Sequence, residues 1–215
     1  MIKIKIFAFN PLQVNGFVLY DETRECILID PACFFDYEQE ELVLFIEQNN
    51  LNPKLILNTH AHFDHIMGNK FCSEKYNIKI GMHNNDIPLY TRSSESAELF
   101  GMSVDDQPEP TISIKNNEII RFGNSELKAL LAPGHSPGSL LFCNNEQKIV
   151  FSGDVLFHES IGRTDLPGGD MDTLLNSIND SLMSLNDETT VYTGHGPETN
   201  IGFERRTNPF INNYF

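Results

Sequence analysis

The chain has 215 residues, 40% hydrophobic and 21% charged, which is the composition of an ordinary globular protein long enough to bury a core without staples. No apolar run approaches the roughly 20 residues that cross a bilayer, and the opening MIKIKIFAFN alternates like a strand rather than forming a secretory signal, so a cytoplasmic protein with no membrane partner is expected. A formal charge of -15 would repel a phosphate backbone and argues against nucleic acid, while four widely spaced cysteines without a C-x-x-C pair suit reduced thiols.

Residues 2 to 9 alternate with period two, and the short apolar runs GFVLY (16 to 20) and ECILID (25 to 30) follow, which predicts an antiparallel meander. From Asp36 to Asn49-Asn50 the apolar residues Leu42, Phe45 and Ile46 share one helical face, so a surface helix packed on a sheet is expected. LILNTH (55 to 60) reads as a strand, the segment from His65 to about Tyr76 as a helix, and IKIGMH (78 to 83) as another strand. Residues 91 to 110 are polar, acidic and broken by two prolines, which predicts a long mobile flap. TISI, EIIRF, ELKALLAP, SLLFC and KIVFSGD are then short strands, followed by a helix near 170 to 185, capped by Asp170, and a last strand, TVYTGH. Two halves of this kind, each a sheet covered by helices on one side, bury their sheets against each other in one α+β domain spanning 1-215, a four-layer αβ/βα sandwich.

The chemistry concentrates at strand ends. NTHAHFDH places His60, His62, Asp64 and His65 within six residues directly after an apolar strand, an arrangement suited to a loop that wraps a cation. Three further strands end in LLAPGH, IVFSGD and VYTGH, each with a glycine just before His135, Asp154 or His195. Five of the seven histidines in the chain fall in these clusters, which isolated core or surface imidazoles do not explain. Imidazole and carboxylate suit zinc or iron, and seven ligands at about three per metal are enough for two divalent metals, with zinc first and iron or manganese as alternatives.

HAHFDH at 60 to 65 matches without substitution the H-x-H-x-D-H signature of the metallo-β-lactamase superfamily, which the chain resembles over essentially its whole length. The resemblance implies that His60, His62 and His135 hold one metal, Asp64, His65 and His195 a second, and that Asp154 bridges them. GDVLF, IGRTDLPGGD and GHGPETNIGFERRTNPF are similar to the short single-domain hydrolases related to glyoxalase II, without the C-terminal helical domain of the full-length enzymes. The implied activity is attack of a bridging hydroxide, with Asp64 and Asp154 as catalytic ligands that orient it, on a thioester or related small acyl substrate.

Within IGRTDLPGGD, Gly162 and Arg163 are candidate substrate contacts. Arg163 lies where the resembling enzymes place a glutathione-binding lysine, and it either anchors a substrate carboxylate or pairs with Asp165 or Asp170. The aromatic residue expected shortly after it is replaced by Thr164 and Asp165, which weighs against glutathione thioesters. His83 is expected to be structural, and His158 is near enough in sequence to line the pocket. Ser136 and Ser152 lack a nucleophile elbow, which excludes a serine triad. The competing reading is a mono-iron oxidoreductase similar to persulfide dioxygenases, which share the GRTD element. A β-lactamase is disfavoured, because the dizinc subclass it would join carries a cysteine where this chain has Asp154.

Overall fold

FVL (17–19) and CILI (26–29) are apolar at consecutive positions, so the strands they form need cover on both faces. The computed structural model, which describes residues 1–212, provides that cover with two sheets and two helical layers. β1 (Lys3–Phe9), β2 (Val14–Tyr20) and β3 (Glu25–Ile29) form the antiparallel meander. β4 (Asn52–Leu57), β5 (Lys79–Met82) and β6 (Ile112–Ser113) continue the sheet in parallel. Between these strands run α1 (Asp36–Gln48), α2 (Phe63–Ile66), α3 (Asn69–Tyr76), α4 (Ile87–Tyr90) and α5 (Ser93–Leu99).

The second sheet holds β7 (Ile119–Phe122), β8 (Ser125–Leu131), β9 (Leu140–Asn144) and β10 (Ile149–Gly153). After the small hairpin of β11 (Leu156–Phe157) and β12 (Ser160–Ile161) comes α6 (Met171–Ser177), and β13 (Thr190–Thr193) then pairs in parallel with β10. β14 (Thr199–Asn200), α7 (Ile201–Thr207) and α8 (Pro209–Asn212) complete the described residues, and the sheet order is β14-β13-β10-β9-β8-β7.

Period-two alternation distributes the side chains among the layers. On β3, Cys26 and Leu28 pack toward Leu42 and Ile46 of α1 and Cys72 of α3, whereas Ile27 and Ile29 join Phe142 and Phe151 in the core between the sheets. Phe17 and Phe151 meet edge to face there, ring centroids 5.0 Å apart, and truncating a ring so placed costs about 3–5 kcal/mol. The outer face of the second sheet, including Leu141 and Val150, packs on Leu174 and Leu175 of α6 and Ile201 of α7. The layers are therefore helix, sheet, sheet, helix, as expected for an α+β sandwich.

Four local features differ from the sequence reading. The helix expected from His65 to Tyr76 is two helices that meet at Gly68, where a side chain would fall on the Pro31 carbonyl and the Cys33 sulfur. The helix expected near 170 to 185 is α-helical only over Met171–Ser177 and continues as a wider π-helical turn over Ile178–Leu182, closed by Met183 N–H donating to Ile178 O. Within the excursion at 91 to 110, α5 forms, and Ala97 and Val104 are buried against Phe63 and Met67. This small satellite core makes part of the segment a wall of the molecule. The closing elements β14, α7 and α8 carry too few apolar positions for periodicity to disclose them; Asn200 caps α7 by accepting from Phe203 N–H.

Candidate metal centre

The four predicted strand ends converge. His60 and His62 lie in the loop after β4, and Asp64 and His65 occupy the first turns of α2. His135 lies in the loop between β8 and β9, Asp154 directly follows β10, and His195 follows β13. The donor atoms fall into two groups. In the first, His135 Nε2 stands 3.2 Å from His60 Nε2 and 2.9 Å from His62 Nδ1. In the second, His195 Nε2 stands 3.3 Å from His65 Nε2 and 3.4 Å from Asp64 Oδ2. Asp154 touches both: Oδ2 is 3.6 Å from His135 Nε2 and from His195 Nε2, and Oδ1 is 3.3 Å from His65 Nε2.

Hydrogen bonds on the far side of the rings fix the tautomers. His135 Nδ1 donates to Arg163 O at 2.8 Å, and His195 Nδ1 donates to Leu12 O at 2.9 Å. A carbonyl only accepts, so these Nδ1 atoms hold the proton and Nε2 presents a lone pair to the interior. Thr59 Oγ1 gives its proton to Asp30 Oδ2 and so accepts from His60 Nδ1 at 3.1 Å, while His65 Nδ1 lies 3.0 Å from the same Asp30 oxygen. The Nε2 lone pairs of His60 and His135, 3.2 Å apart, repel unless a cation lies between them. Two ligands at about 2.0–2.1 Å from a tetrahedral zinc stand roughly 3.3–3.4 Å apart, close to the spacings observed. The donor sets and their spacings therefore fit a divalent metal in each group, and the tautomers of His60, His135 and His195 present Nε2 to it.

The electrostatics follow the same division. Burial, reinforced by the neighbouring imidazoles, pushes His60 far down and His62 to about 4, so both are neutral and able to ligate near pH 7. Burial also opposes charge on His65, but Asp154, Asp64 and Asp30 outweigh it and raise its pKa well above the usual range. Asp154 and Asp64 are held low despite their own burial, chiefly by His65.

Supporting residues that sequence reading did not single out hold these loops. Asp30, at the end of β3 in a left-handed conformation (φ 45°), accepts from Thr59 N–H at 2.8 Å as well as from the Thr59 hydroxyl and His65. Asp86, fully buried, accepts from Ala61 N–H at 3.0 Å, Gly138 N–H at 2.6 Å and the Ser136 hydroxyl at 2.8 Å, joining the loop of His60 and His62 to that of His135. Asn10 donates to Asp64 O at 2.9 Å. One signal was available: ECILID ends an apolar strand in an aspartate just as IVFSGD does.

The remaining predicted residues are placed as follows. Gly162 is buried beneath the cluster, where a side chain would fall on the Asp154 carbonyl and crowd His135 Nδ1, so it makes room for the candidate ligands and does not line the cavity. Gly194 is constrained in the same way by the Asp154 carboxylate itself. Arg163 borders the cavity and holds Asp165 through two bonds of 2.7 Å, from Nε and Nη2, while Asp170 caps α6. His158 does not border the cavity: it stacks on Phe203 at 4.9 Å. His83 accepts from Asn85 N–H, and Ser152 donates to Leu156 O.

The cluster opens into a cavity of about 320 Å³ bordered by His62, Asp64, His135, Asp154 and His195. A larger recess of about 700 Å³ beside Met1, Arg121 and Gln147 has no histidine or cysteine in its lining, so volume does not mark the site. Among the described residues no helix is long and apolar enough to cross a membrane.

A four-layer sandwich that gathers histidines and aspartates at its strand ends is the architecture of a metal-dependent hydrolase. The family model for the metallo-β-lactamase superfamily matches residues 9–195, and the chain belongs to that superfamily. It is 36% identical over 214 residues to the hydroxyacylglutathione hydrolase GloC of Haemophilus influenzae, covering 98% of this chain and 99% of that protein. The solved structure of BLEG-1, a B3 metallo-β-lactamase, is 35% identical, with TM-score 0.89 and coverage of 97% of this chain and 99% of that one. TTHA1623 in a di-iron-bound form is 38% identical, with TM-score 0.87 and coverage of 96% and 99%.

Proposed function

We propose that this chain is a single-domain, dinuclear metal-dependent hydrolase of thioesters or related small acyl compounds. His60, His62 and His135 hold one metal, Asp64, His65 and His195 the other, and Asp154 is shared. The observation that carries this reading is the position of the Asp154 carboxylate, within 3.6 Å of donor atoms from both groups. When bound, divalent metals supply a hydroxide nucleophile near neutral pH and polarise an acyl oxygen. The chain's own part is to fix geometry: Asp30, Thr59 and the carbonyls of Arg163 and Leu12 lock the imidazoles, and Asp64 and Asp154 supply negative charge that orients the attacking water. Zinc is the first expectation, and the di-iron relative supports iron as an alternative. The thioester assignment draws on the name of the GloC relative, and that of BLEG-1 favours the β-lactam ring as a second acyl substrate.

Elemental analysis of the reconstituted protein, combined with a panel of thioesters, esters and β-lactams, tests the reading. About two metals per chain and thioester turnover without oxygen uptake are expected. One iron with oxygen consumption on a persulfide would replace it with the oxidoreductase reading.

A further inference from the structure

Five of the candidate ligands line the cavity, and the rest of its lining is apolar apart from Ser96 and Arg163. Leu99 and Phe100 at the end of α5 share it with Leu12, Phe63 and Leu166. Phe100 lies against Phe63, ring centroids 5.2 Å apart, which ties this wall to the helix that carries Asp64 and His65. Leu99 is nevertheless 87% exposed and Phe100 51% exposed, so a substantial apolar surface faces water beside the candidate metal centre. Among the described residues Arg163 is the one lysine or arginine on the lining, and Asp165 already holds the Nε–Nη2 edge of its guanidinium, one of the two edges a carboxylate would take. Apart from the candidate metal ligands, nothing else on the lining is cationic, and the formal charge of -15 gives an anion no long-range attraction to the molecule.

Resting on the acyl-hydrolase reading, we propose that the substrate is a thioester carrying an apolar, uncharged arm, and that Leu99 and Phe100 are specificity-determining residues that receive that arm. Each methylene moved from water into such a lining multiplies apparent affinity by about four. An anionic tripeptide thiol gains nothing comparable from this apolar wall, and the Arg163 charge it would seek is already paired with Asp165.

The test uses the full chain loaded with zinc. Two matched series are assayed: acetyl to octanoyl thioesters of the neutral thiol N-acetylcysteamine, and acetyl thioesters of ethane- to hexanethiol. The expected result is a rise in kcat/KM of at least about ten-fold along one series, with the glutathione thioester of the same acyl group no better than the neutral one. In Leu99→Ser/Phe100→Ser the long-to-short ratio should collapse to within about two-fold of unity. Leu99→Lys, at a position outside the core, should reduce the ratio in the same direction and serves if the double variant is unstable. Flat profiles in both series, a ten-fold preference for the glutathione thioester, or a ratio that survives in a folded variant would overturn the proposal.

Calorimetric titration with acetate, butyrate, hexanoate and octanoate separates this proposal from the reaction it rests on. Tighter binding of the longer carboxylates with no thioester turnover would sink the hydrolase reading and keep the apolar wall. Turnover with neither rate nor binding responding to chain length would do the reverse.

Discussion

Asp30 and His65, 35 residues apart in the chain, share a hydrogen bond of 3.0 Å in a place where neither side chain reaches solvent. The same Asp30 oxygen takes the Thr59 hydroxyl proton and thereby sets the tautomer of His60, so one carboxylate orients a histidine from each donor group. Removing an outer partner of a ligating histidine typically costs 10–100-fold in metal affinity. Asp30→Asn, which keeps the shape but weakens the acceptor, should therefore lower affinity at both positions by about that factor. Competition with a chromogenic chelator measures it, and an unchanged affinity would show that the ring orientations do not depend on Asp30.

The two groups should respond differently to acid. His65 in the metal-free protein has a raised pKa and carries a proton at neutral pH, which a metal must displace, whereas His60 and His62 are already deprotonated there. Uptake at the Asp64, His65 and His195 group should thus release a proton and weaken first as pH falls. The other group should keep its metal to lower pH, because its His60 and His62 are held well below the usual imidazole range. Metal content after dialysis at stepped pH should fall in two stages, and a single cooperative loss would contradict the distinction.

Asp86 closes the loops mechanically. Its removal leaves the buried N–H groups of Ala61 and Gly138 without their acceptor, at about 1–3 kcal/mol for each. Asp86→Ala should lower Tm by several degrees and loosen the metal held by His60, His62 and His135 more than the other. Equal weakening of both metals, or a stable protein with full affinity, would place its role elsewhere.

The layered fold was legible because buried strands with apolar residues on both faces cannot be satisfied by one layer of helix. Ile27 and Leu28 are adjacent in sequence and lie in different cores. The gathering of the candidate ligands was legible because glycine-terminated strands leave their next residue at one rim. Asp30 and Asp86 were not, since a carboxylate that binds backbone N–H groups has no distinctive neighbours in sequence. The need for glycine at position 68 was equally hidden, because the Pro31 carbonyl that excludes a side chain there is distant along the chain. The wall at Leu99 and Phe100 lay within a stretch whose overall polarity concealed two apolar residues that matter through their position.

Arg163 yields the last prediction, because the sequence left its role divided and the structure shows it engaged. Both Nε and Nη2 bond the Asp165 carboxylate at 2.7 Å, and this pairing holds Asp165 at a pKa of about 2. The pair consequently stays ionised at any ordinary assay pH. Surface pairs contribute little to folding stability, so Arg163→Ala should leave Tm nearly unchanged. It should also leave KM nearly unchanged for both neutral and anionic thioesters, because Asp165 holds the Nε–Nη2 edge and neutralises the guanidinium. Asp165→Asn is the informative variant: it frees the fork beside the cavity, and KM for an anionic thioester should fall several-fold while that of a neutral one stays constant. Measuring both substrates in both variants decides the matter. A several-fold rise in anionic KM in Arg163→Ala would show that Arg163 grips substrate, at its Nη1 edge or in place of Asp165, and would restore it as an anchor.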